Sequence, residues 1–512
     1  MKYPIGIQNF DEIRIGEYAY IDKTRLIYKL VDEGKYYFLS RPRRFGKSLL
    51  ISTLEAYFRG QKELFNGLAI YDLEQEWLEY PVFHIDLNTA NFREKDSLFA
   101  ILNDYLCNWE KEYGKSESET TLALRFKGVV ERAAKKTGSN VVILVDEYDK
   151  PMLQTFYDRE LQDNYRNELK AFYSVLKTQD RYIKFAFLTG VTKFGKVSVF
   201  SDLNNLMDIS MDNRYISICG ITENELKANF KEGIAELSDA TGDTEEATIE
   251  KLRANYDGYH FVDNSIGIYN PFSLLNTLAR LKFDDYWFET GTPTFLVELM
   301  KLHHYELRNL TKEQISADVI NSIDSMSTNP IPVIYQSGYL TIKGYNERFK
   351  KYKLGFPNQE VEQGFLNFLL PRYSSAGDKS SYFIEEFVKD AEAGNPERFM
   401  QRLSTMLADT DYKVVGNTEL YFQNVMYLIF KIMGFYIQVE RPTSDGRIDA
   451  VIQTADYIYI IECKLDKSAD EALRQIEDNN YAAPFQMDKR KLYKIGVNFS
   501  SGTRGVEEYK ID

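Results

Sequence analysis

Near its carboxyl end the chain reads GRIDAV at residues 446–451 and IIECKL at residues 460–465. Both segments are rich in β-branched residues, and residues 454–456 between them have the length of a hairpin turn, so we predict two neighbouring strands. Residues two apart on a strand point to the same face, so Glu462 and Lys464 face together, with Asp449 on the adjacent strand. Two carboxylates beside one lysine predict a site for a hard cation such as Mg²⁺, where the lysine orients a water or offsets the charge of a phosphate.

The alternative interpretation of these residues is a surface hairpin that carries a salt bridge, a common feature that contributes little to stability. The flanking sequence favours the first interpretation. A helical apolar period over residues 419–434 is followed by a strand pattern at 436–440. After the hairpin, a capping box at residues 468–471 predicts a second helix, and residues 492–499 predict a last strand. The predicted order is therefore helix–strand–strand–strand–helix–strand.

That order, with Asp449, Glu462 and Lys464 in place, resembles the PD-(D/E)XK nuclease superfamily, although an isoleucine stands where the superfamily's name has proline. The resemblance implies that Asp449 and Glu462 bind Mg²⁺, while Lys464 positions the attacking water or stabilises the developing negative charge. Glu419 matches the acidic residue that many members carry on the first helix and would be an outer or third ligand. Gln475 matches the polar residue that is often found on the second helix.

A second motif lies in the first half of the chain. Residues 35–40 (KYYFLS) predict a strand, residues 41–48 (RPRRFGKS) a loop and residues 49–54 (LLISTL) a helix, which is the context of a Walker A phosphate-binding loop. The backbone N–H groups and the helix N-terminus of such a loop hold phosphates. Arg41 stands where the usual pattern begins with glycine. The residues predicted to bind the nucleotide here are Arg43, Arg44, Phe45, Gly46, Lys47 and Ser48; Lys47 would reach the outer phosphates, and the Ser48 hydroxyl would bind Mg²⁺.

The partner of this loop is predicted at residues 141–147 (VVILVDE), an apolar run that ends in two acids. Such a run suits a central parallel strand that is buried on both faces, and functional residues of these folds lie at the carboxyl ends of the strands. Asp146 would hold Mg²⁺ through water, and Glu147 would polarise the attacking water. A third strand, residues 183–188, ends at Thr189, a candidate sensor of the γ-phosphate. The alternative is an acidic exit from the strand without a catalytic role.

Residues 1–230 resemble the AAA-ATPase-like domain found in many gut and other anaerobic bacteria, on segments 41–48, 146–151 (DEYDKP) and 188–194 (LTGVTKF). An arginine-rich loop is usual in that family, which commonly carries a PD-(D/E)XK module at its C-terminus. The resemblance implies an α/β protein: a P-loop NTPase parallel sheet with a helical lid, then a C-terminal αβββαβ nuclease-like domain. It also implies ATP and Mg²⁺ as cofactors. The predicted domains are residues 1–230, a helical or winged-helix-like lid and connecting region at 231–385, and a nuclease-like domain at 386–512.

Length, charge and residue counts exclude several kinds of protein and site. A chain of 512 residues is too long for one core. Its net charge of −14 argues against strong non-specific binding of nucleic acid, although a local basic groove is compatible with it. Three cysteines and four histidines argue against a metal site built from those residues. No apolar run is long enough to cross a bilayer, so we predict a cytoplasmic protein without a membrane partner. Further strands are predicted at residues 215–219, 333–335 and 339–342.

Two hypotheses follow. The preferred one is an ATP-regulated, Mg²⁺-dependent nuclease that hydrolyses phosphodiester bonds, with nucleic acid, preferably DNA, as partner and a homo-oligomer left open. The alternative is a non-catalytic ATP-dependent switch or scaffold whose nuclease-like domain is a docking module; the acidic composition and the missing first glycine favour it. An ATPase that only remodels nucleic acid is a third option. The sequence leaves open DNA or RNA, endonuclease or exonuclease action, and the source of any arginine finger.

Overall fold

The computed structural model describes residues 1–156, 158–193, 203, 205–289, 294–320, 329–374, 380–408, 418–440 and 450–512. The chain divides into two compact units. The first comprises Met1–Glu289 and Glu313–Glu360, and the second comprises Thr290–Lys312 and Val361–Asp512. The three-part division at residues 230 and 385 stays a prediction.

The helices of the described residues, in chain order, are α1 (Phe10–Ile15), α2 (Thr24–Glu33), α3 (Lys47–Phe58), α4 (Ala69–Leu73), α5 (Ser97–Tyr113), α6 (Leu122–Thr137), α7 (Lys150–Gln154), α8 (Arg159–Tyr173), α9 (Val175–Thr178), α10 (Glu223–Asn229), α11 (Lys231–Thr241), α12 (Glu245–Tyr256), α13 (Pro271–Arg280), α14 (Tyr286–Glu289), α15 (Thr294–Leu302), α16 (Ala317–Ile320), α17 (Ile331–Gln336), α18 (Gln359–Tyr373), α19 (Ser380–Glu392), α20 (Pro396–Ala408), α21 (Thr418–Met433) and α22 (Ala469–Asp478). The strands are β1 (Tyr36–Ser40), β2 (Val82–Asp86), β3 (Val141–Asp146), β4 (Ile183–Gly190), β5 (Met207–Asp208), β6 (Gln314–Ser316), β7 (Thr341–Asn346), β8 (Lys351–Gly355), β9 (Gln438–Glu440), β10 (Ala450–Gln453), β11 (Tyr457–Leu465), β12 (Lys491–Phe499) and β13 (Val506–Ile511). None of these helices is long and apolar enough to cross a membrane.

The main sheet of the first unit has the order β2-β3-β4-β1-β5, and all of its strand pairs are parallel. Every residue of β3 is buried, as its apolar sequence predicts for a central strand covered on both faces. Because the strands are parallel, the segments that follow β1, β3 and β4 leave the sheet at the same edge. The predicted α/β fold with a parallel sheet is confirmed.

The sheet of the second unit has the order β13-β12-β11-β10-β9, with β11 and β12 parallel and the other pairs antiparallel. The predicted hairpin joins β10 to β11, and its turn is closed by a hydrogen bond from the Thr454 N–H to the Tyr457 carbonyl (2.9 Å). The elements α21, β9, β10, β11, α22 and β12 follow one another in the predicted order. Ser468 caps α22 by accepting a hydrogen bond from the Glu471 N–H, as the capping-box pattern predicts.

Two local predictions are wrong. A strand was predicted at residues 215–219, but Asn213–Tyr215 form a 3₁₀ turn, because the Asp212 carboxylate accepts a hydrogen bond from the Arg214 N–H (2.9 Å). A strand was also predicted at residues 333–335, where the chain forms helix α17. Pro332 lies in the first turn of α17, where its fixed φ angle is compatible with a helix and its missing N–H costs nothing.

Candidate functional sites

The loop of residues 41–48 connects β1 to helix α3. Gly46 directly precedes α3 with a φ angle of 92°, a left-handed conformation that glycine adopts without strain. Arg44, two residues earlier, also has a positive φ angle, 65°. Non-glycine residues in this region carry strain that the surrounding structure must offset, and such residues cluster at functional sites. The tight turn places the N-terminus of α3 at the edge of the sheet. The N–H groups in the first turn of a helix attract anions.

Lys47 is almost fully buried at the start of α3, with an exposed fraction of 4%. Its ammonium donates hydrogen bonds to the carbonyl oxygens of Arg41 and Pro42, each at 3.2 Å. The same Nζ lies 3.3 Å from Oε1 of Glu147, which follows β3. Glu147 has a positive φ angle of 55°, and Lys47 directly follows Gly46, which has a φ angle of 92°. The cation is therefore held in place by the loop and by one carboxylate.

Asp146, Ser48 and Thr189 form a second group at the same edge of the sheet. The Ser48 hydroxyl donates to Oδ2 of Asp146 (2.5 Å), and the Thr189 hydroxyl donates to Oδ1 (2.5 Å). The structure thus brings together five predicted residues from the ends of β1, β3 and β4. The hydroxyl of Ser48 and the carboxylate of Asp146 are hard oxygen donors of the kind that suits Mg²⁺. Within the described ranges, no cluster of three or more His, Cys, Asp or Glu residues could hold a metal ion.

Asp149 connects the segment after β3 to the segment after β4. Its carboxylate is fully buried and accepts hydrogen bonds from the Val191 N–H (3.1 Å), the Thr192 N–H (2.6 Å) and the Thr192 hydroxyl (2.5 Å). Burial, together with the nearby charge of Glu147, raises the pKa of Asp149 well above its usual range. These bonds fix the position of the Thr189 end of β4 relative to the end of β3.

Arg41 stands where the usual motif has glycine, and its side chain is buried (1% exposed). The guanidinium donates to the carbonyl oxygen of Ser210 (2.8 Å) and lies 3.8 Å from the centre of the Phe261 ring. Burial lowers the pKa of Arg41 to about 10. Arg41 therefore supports the loop by hydrogen bonding and cation–π packing. Its partners are distant in sequence, so the motif alone could not reveal this role.

Trp287 supports the loop from another side. Its indole Nε1–H donates to the carbonyl oxygen of Arg43 (2.9 Å), and its backbone N–H donates to Oε1 of Glu360 (2.7 Å). The Ser273 hydroxyl donates to the same Glu360 oxygen (2.9 Å). Phe45 packs edge-on against the Tyr259 ring, with centroids 4.8 Å apart. Residues 259–287 and Glu360 thus complete the support of the 41–48 loop.

The buried carboxyl of Glu360 should make the free energy of unfolding of the protein depend on pH. Burial, together with the nearby Asp285 and Asp284, raises the pKa of Glu360 to about 8. The unfolded carboxyl ionises near its ordinary pKa of about 4.3, whereas the folded one retains its proton to higher pH. The contribution to the free energy of unfolding is therefore full below that ordinary pKa and falls as pH rises to about 8.

A Glu360→Gln variant keeps a side-chain oxygen that can accept the hydrogen bonds from the Ser273 hydroxyl and the Trp287 N–H. Because glutamine does not ionise, the stability of this variant should not fall with rising pH in the way described for wild type. We expect the variant to gain stability relative to wild type between pH 5 and pH 8, by on the order of 2–4 kcal/mol. Denaturant unfolding of the full chain across that range measures the difference. Glu362→Gln on the same helix, at a half-exposed carboxylate paired with Lys431, is the matched control and should give a constant difference. A constant difference for Glu360→Gln as well would contradict the prediction.

The second candidate site lies on β11. Glu462 is buried (2% exposed), and the Lys464 ammonium donates to its Oε1 at 2.8 Å. The same ammonium also donates to the side-chain oxygen of Gln475 on α22. Three of the residues predicted for the nuclease-like site are therefore in contact. Lys464 is held between the sheet and the helix that packs on it.

Glu419 lies in the first turn of α21, is exposed, and accepts a hydrogen bond from the Gln423 amide (3.1 Å). It lines a cavity of about 110 Å³ that Lys464 also lines. Asp449 lies outside the described residues. The next residue in the sequence, Ala450, pairs with Ile461 across the hairpin, directly before Glu462.

Both ends of the chain are similar to known protein families. Residues 4–200 match the family model described as a predicted AAA-ATPase, and residues 417–509 match the model of the PD-(D/E)XK nuclease superfamily. A protein of Azotobacter chroococcum mcd 1, described as an uncharacterized protein in the vnfD 5' region, is 34% identical over 523 residues, which covers 100% of this chain and 99% of that protein. The solved Aeropyrum pernix ORC2 protein (ADPNP-ADP complexes) matches 67% of this chain and 88% of its own at 12% identity, with a TM-score of 0.23, a likeness too weak to carry an argument.

Proposed function

The chain belongs to the family of AAA-ATPase-like proteins with a C-terminal PD-(D/E)XK nuclease superfamily domain, and we propose that it is an ATP-regulated nuclease. It is similar to the Azotobacter protein along its whole length. Its first half would bind and hydrolyse ATP. Its C-terminal domain would hydrolyse phosphodiester bonds of nucleic acid, preferably DNA, and ATP binding would control that reaction. The observation that carries the nuclease part is the contact of Lys464 with both Glu462 and Gln475.

At the ATP site, the N-terminus of α3 and the N–H groups of the 41–48 loop would hold the phosphates. Lys47 would exchange its contact with Glu147 for the outer phosphates. Ser48 and Asp146 would hold Mg²⁺, which neutralises phosphate charge when bound. Glu147, once released, would orient the attacking water and accept its proton. Thr189, bonded to Asp146, would contact the γ-phosphate side of the site.

A cavity next to the loop supports nucleotide binding. It has a volume of about 100 Å³, reaches Gly46 and is mostly lined by apolar side chains, among them Tyr20, Phe45, Ile218 and Leu275. An apolar cavity with a few polar groups at one end is the usual form of a small-molecule site. An apolar part of the nucleoside would contact the lining of this cavity while the phosphates extend past Gly46 along the loop.

At the nuclease site, we propose that Glu462 and Asp449 hold Mg²⁺ with Glu419 as an outer ligand. The bound metal would polarise the phosphate and lower the pKa of a water. Lys464 would supply positive charge where negative charge develops on the phosphate. Gln475 would fix the direction of the Lys464 side chain, since it accepts one of the three hydrogen bonds that an ammonium can donate.

The test uses the full chain with a supercoiled plasmid and, separately, a labelled single-stranded RNA. We expect cleavage of at least one substrate in MgCl₂, no cleavage in EDTA, and a rate that changes when ATP is added. ATP hydrolysis, measured in the same buffer by phosphate release, should also require MgCl₂. ATP turnover without any cleavage in Mg²⁺ or Mn²⁺ would contradict the nuclease and leave the switch or scaffold, an alternative that the contacts of Lys464 do not favour.

A further inference from the structure

The cavity beside Lys464 has one wall that comes from far upstream in the chain. Most of its lining belongs to α21, β11 and β12, which all lie within the matched nuclease range. Arg308 is the exception. It lies in the 3₁₀ turn Leu307–Asn309, more than a hundred residues before that range and within the same compact unit.

The segment that carries Arg308 is firmly attached to α21. The buried amide of Asn424 accepts a hydrogen bond from the Leu307 N–H (2.9 Å) and donates to the Tyr305 carbonyl (3.0 Å). Leu307 itself is fully buried. Because the two hydrogen bonds of one buried side chain fix the backbone at Tyr305 and Leu307, the position of Arg308, which follows Leu307, is well defined.

The guanidinium of Arg308 reaches the site residues through one intermediate. It donates to Oε1 of Gln423 (3.0 Å), and the Gln423 amide donates to Glu419 (3.1 Å). Arg308 Nε also donates to Oε1 of Glu306 (2.6 Å), and the Nη2 that contacts Gln423 lies 2.5 Å from the same Glu306 oxygen. About a third of the Arg308 side chain remains exposed (34%). An exposed pair of this kind contributes at most about 1 kcal/mol, so a stronger anion can replace Glu306 at small cost.

The lining of the cavity carries two cations, Arg308 and Lys464, and one carboxylate, Glu419. Both cations are ion-paired, Arg308 with Glu306 and Lys464 with Glu462, so an incoming phosphate would take the place of Glu306 at Arg308. The planar fork of an arginine can form two parallel hydrogen bonds to one phosphate, a geometry that lysine cannot provide. We propose that Arg308 binds a backbone phosphate of the nucleic-acid strand next to the phosphate that is cleaved. This inference deepens the proposed nuclease function and rests on it for the identity of the ligand.

Binding is tested without cleavage, in EDTA, by fluorescence anisotropy of the full chain with a fluorescein-labelled short DNA, as single strand and as duplex. Arg308→Gln should raise the Kd about tenfold and lower the slope of log K against log salt by about one unit, the signature of one lost phosphate contact. Arg308→Lys should restore most of the salt slope. Arg398→Gln is the matched control, since Arg398 is an exposed arginine that also faces a carboxylate, Asp390, and does not line the cavity. It should bind like wild type.

If wild type binds DNA but never cleaves it, the nuclease fails, while the salt slope of Arg308→Gln still decides the inference. An Arg308→Gln variant with wild-type melting temperature, Kd and salt slope would overturn the inference, even in an active nuclease. Equal loss of affinity in Arg398→Gln would overturn it too, because a general charge effect would then explain the result.

Discussion

A Lys464→Met variant is expected to cleave nucleic acid at least about 100-fold more slowly than wild type, because it loses a cation that contacts both Glu462 and Gln475. Methionine keeps most of the length of the side chain and removes only the charge and its hydrogen bonds. Lys464 is about five-sixths buried (16% exposed), so its charge acts in a medium that screens it less than water does. Initial cleavage rates in MgCl₂ at saturating ATP measure the loss, and ATP turnover should stay at the wild-type rate.

Lys494→Met is the matched control for this experiment. Lys494 lies on the neighbouring strand β12 opposite Ile460 and reaches a residue of the same helix, Glu477, as Lys464 reaches Gln475. Its loss should change the cleavage rate less than threefold, as is usual for an exposed ion pair worth about 0–1 kcal/mol. A Lys464→Met enzyme within threefold of wild type would remove Lys464 from the chemistry, and equal losses in both variants would indicate damage to the sheet.

The nuclease-like unit was predictable because its signals are local. The hairpin between β10 and β11 follows from β-branched runs and a short turn, and the start of α22 follows from Ser468 and Glu471, which are three residues apart. Strand β13 was missed because residues 506–511 (VEEYKI) contain three charged residues in six. An edge strand tolerates such a composition, since only one side of it is paired and charged side chains discourage aggregation.

The support of the 41–48 loop was not predictable from the motif. Trp287 bonds to Arg43 across 244 residues of sequence, and Arg41 bonds to Ser210 across 169. No periodicity or spacing relates residues so far apart; only the packed fold brings them together. The sequence identified the side chains that face the nucleotide in the proposed mechanism, since these occupy a fixed spacing after β1 and β3. It could not identify the side chains that hold that loop in shape.

The second large effect is expected at Glu147. A Glu147→Gln variant should hydrolyse ATP about 10²–10³-fold more slowly, because an amide cannot accept a proton from the attacking water. The same variant should bind ATP more tightly, by up to about fivefold. Glu147 is the ion-pair partner of Lys47 in this structure, at 3.3 Å, and phosphate must displace it. A neutral amide competes less well for the ammonium of this largely buried pair, whose side chains are 4% and 16% exposed, and a fivefold gain corresponds to about 1 kcal/mol.

Slower ATP hydrolysis together with tighter ATP binding would distinguish the proposed role of Glu147 from simple structural support. Damage to the loop would instead lower both the rate of hydrolysis and the affinity for ATP. Isothermal titration with ATP in EDTA gives the affinity, and phosphate release gives the turnover. Glu131→Gln, at a carboxylate on α6 that pairs with Lys135, is the matched control and should change neither. Lys47→Ala should instead bind ATP more weakly, because it removes the cation that pairs with Glu147 and that would bind the phosphates. If Glu147→Gln binds ATP more weakly than wild type, Glu147 stabilises the empty loop and does not restrain Lys47, and the exchange of partners proposed for Lys47 is wrong.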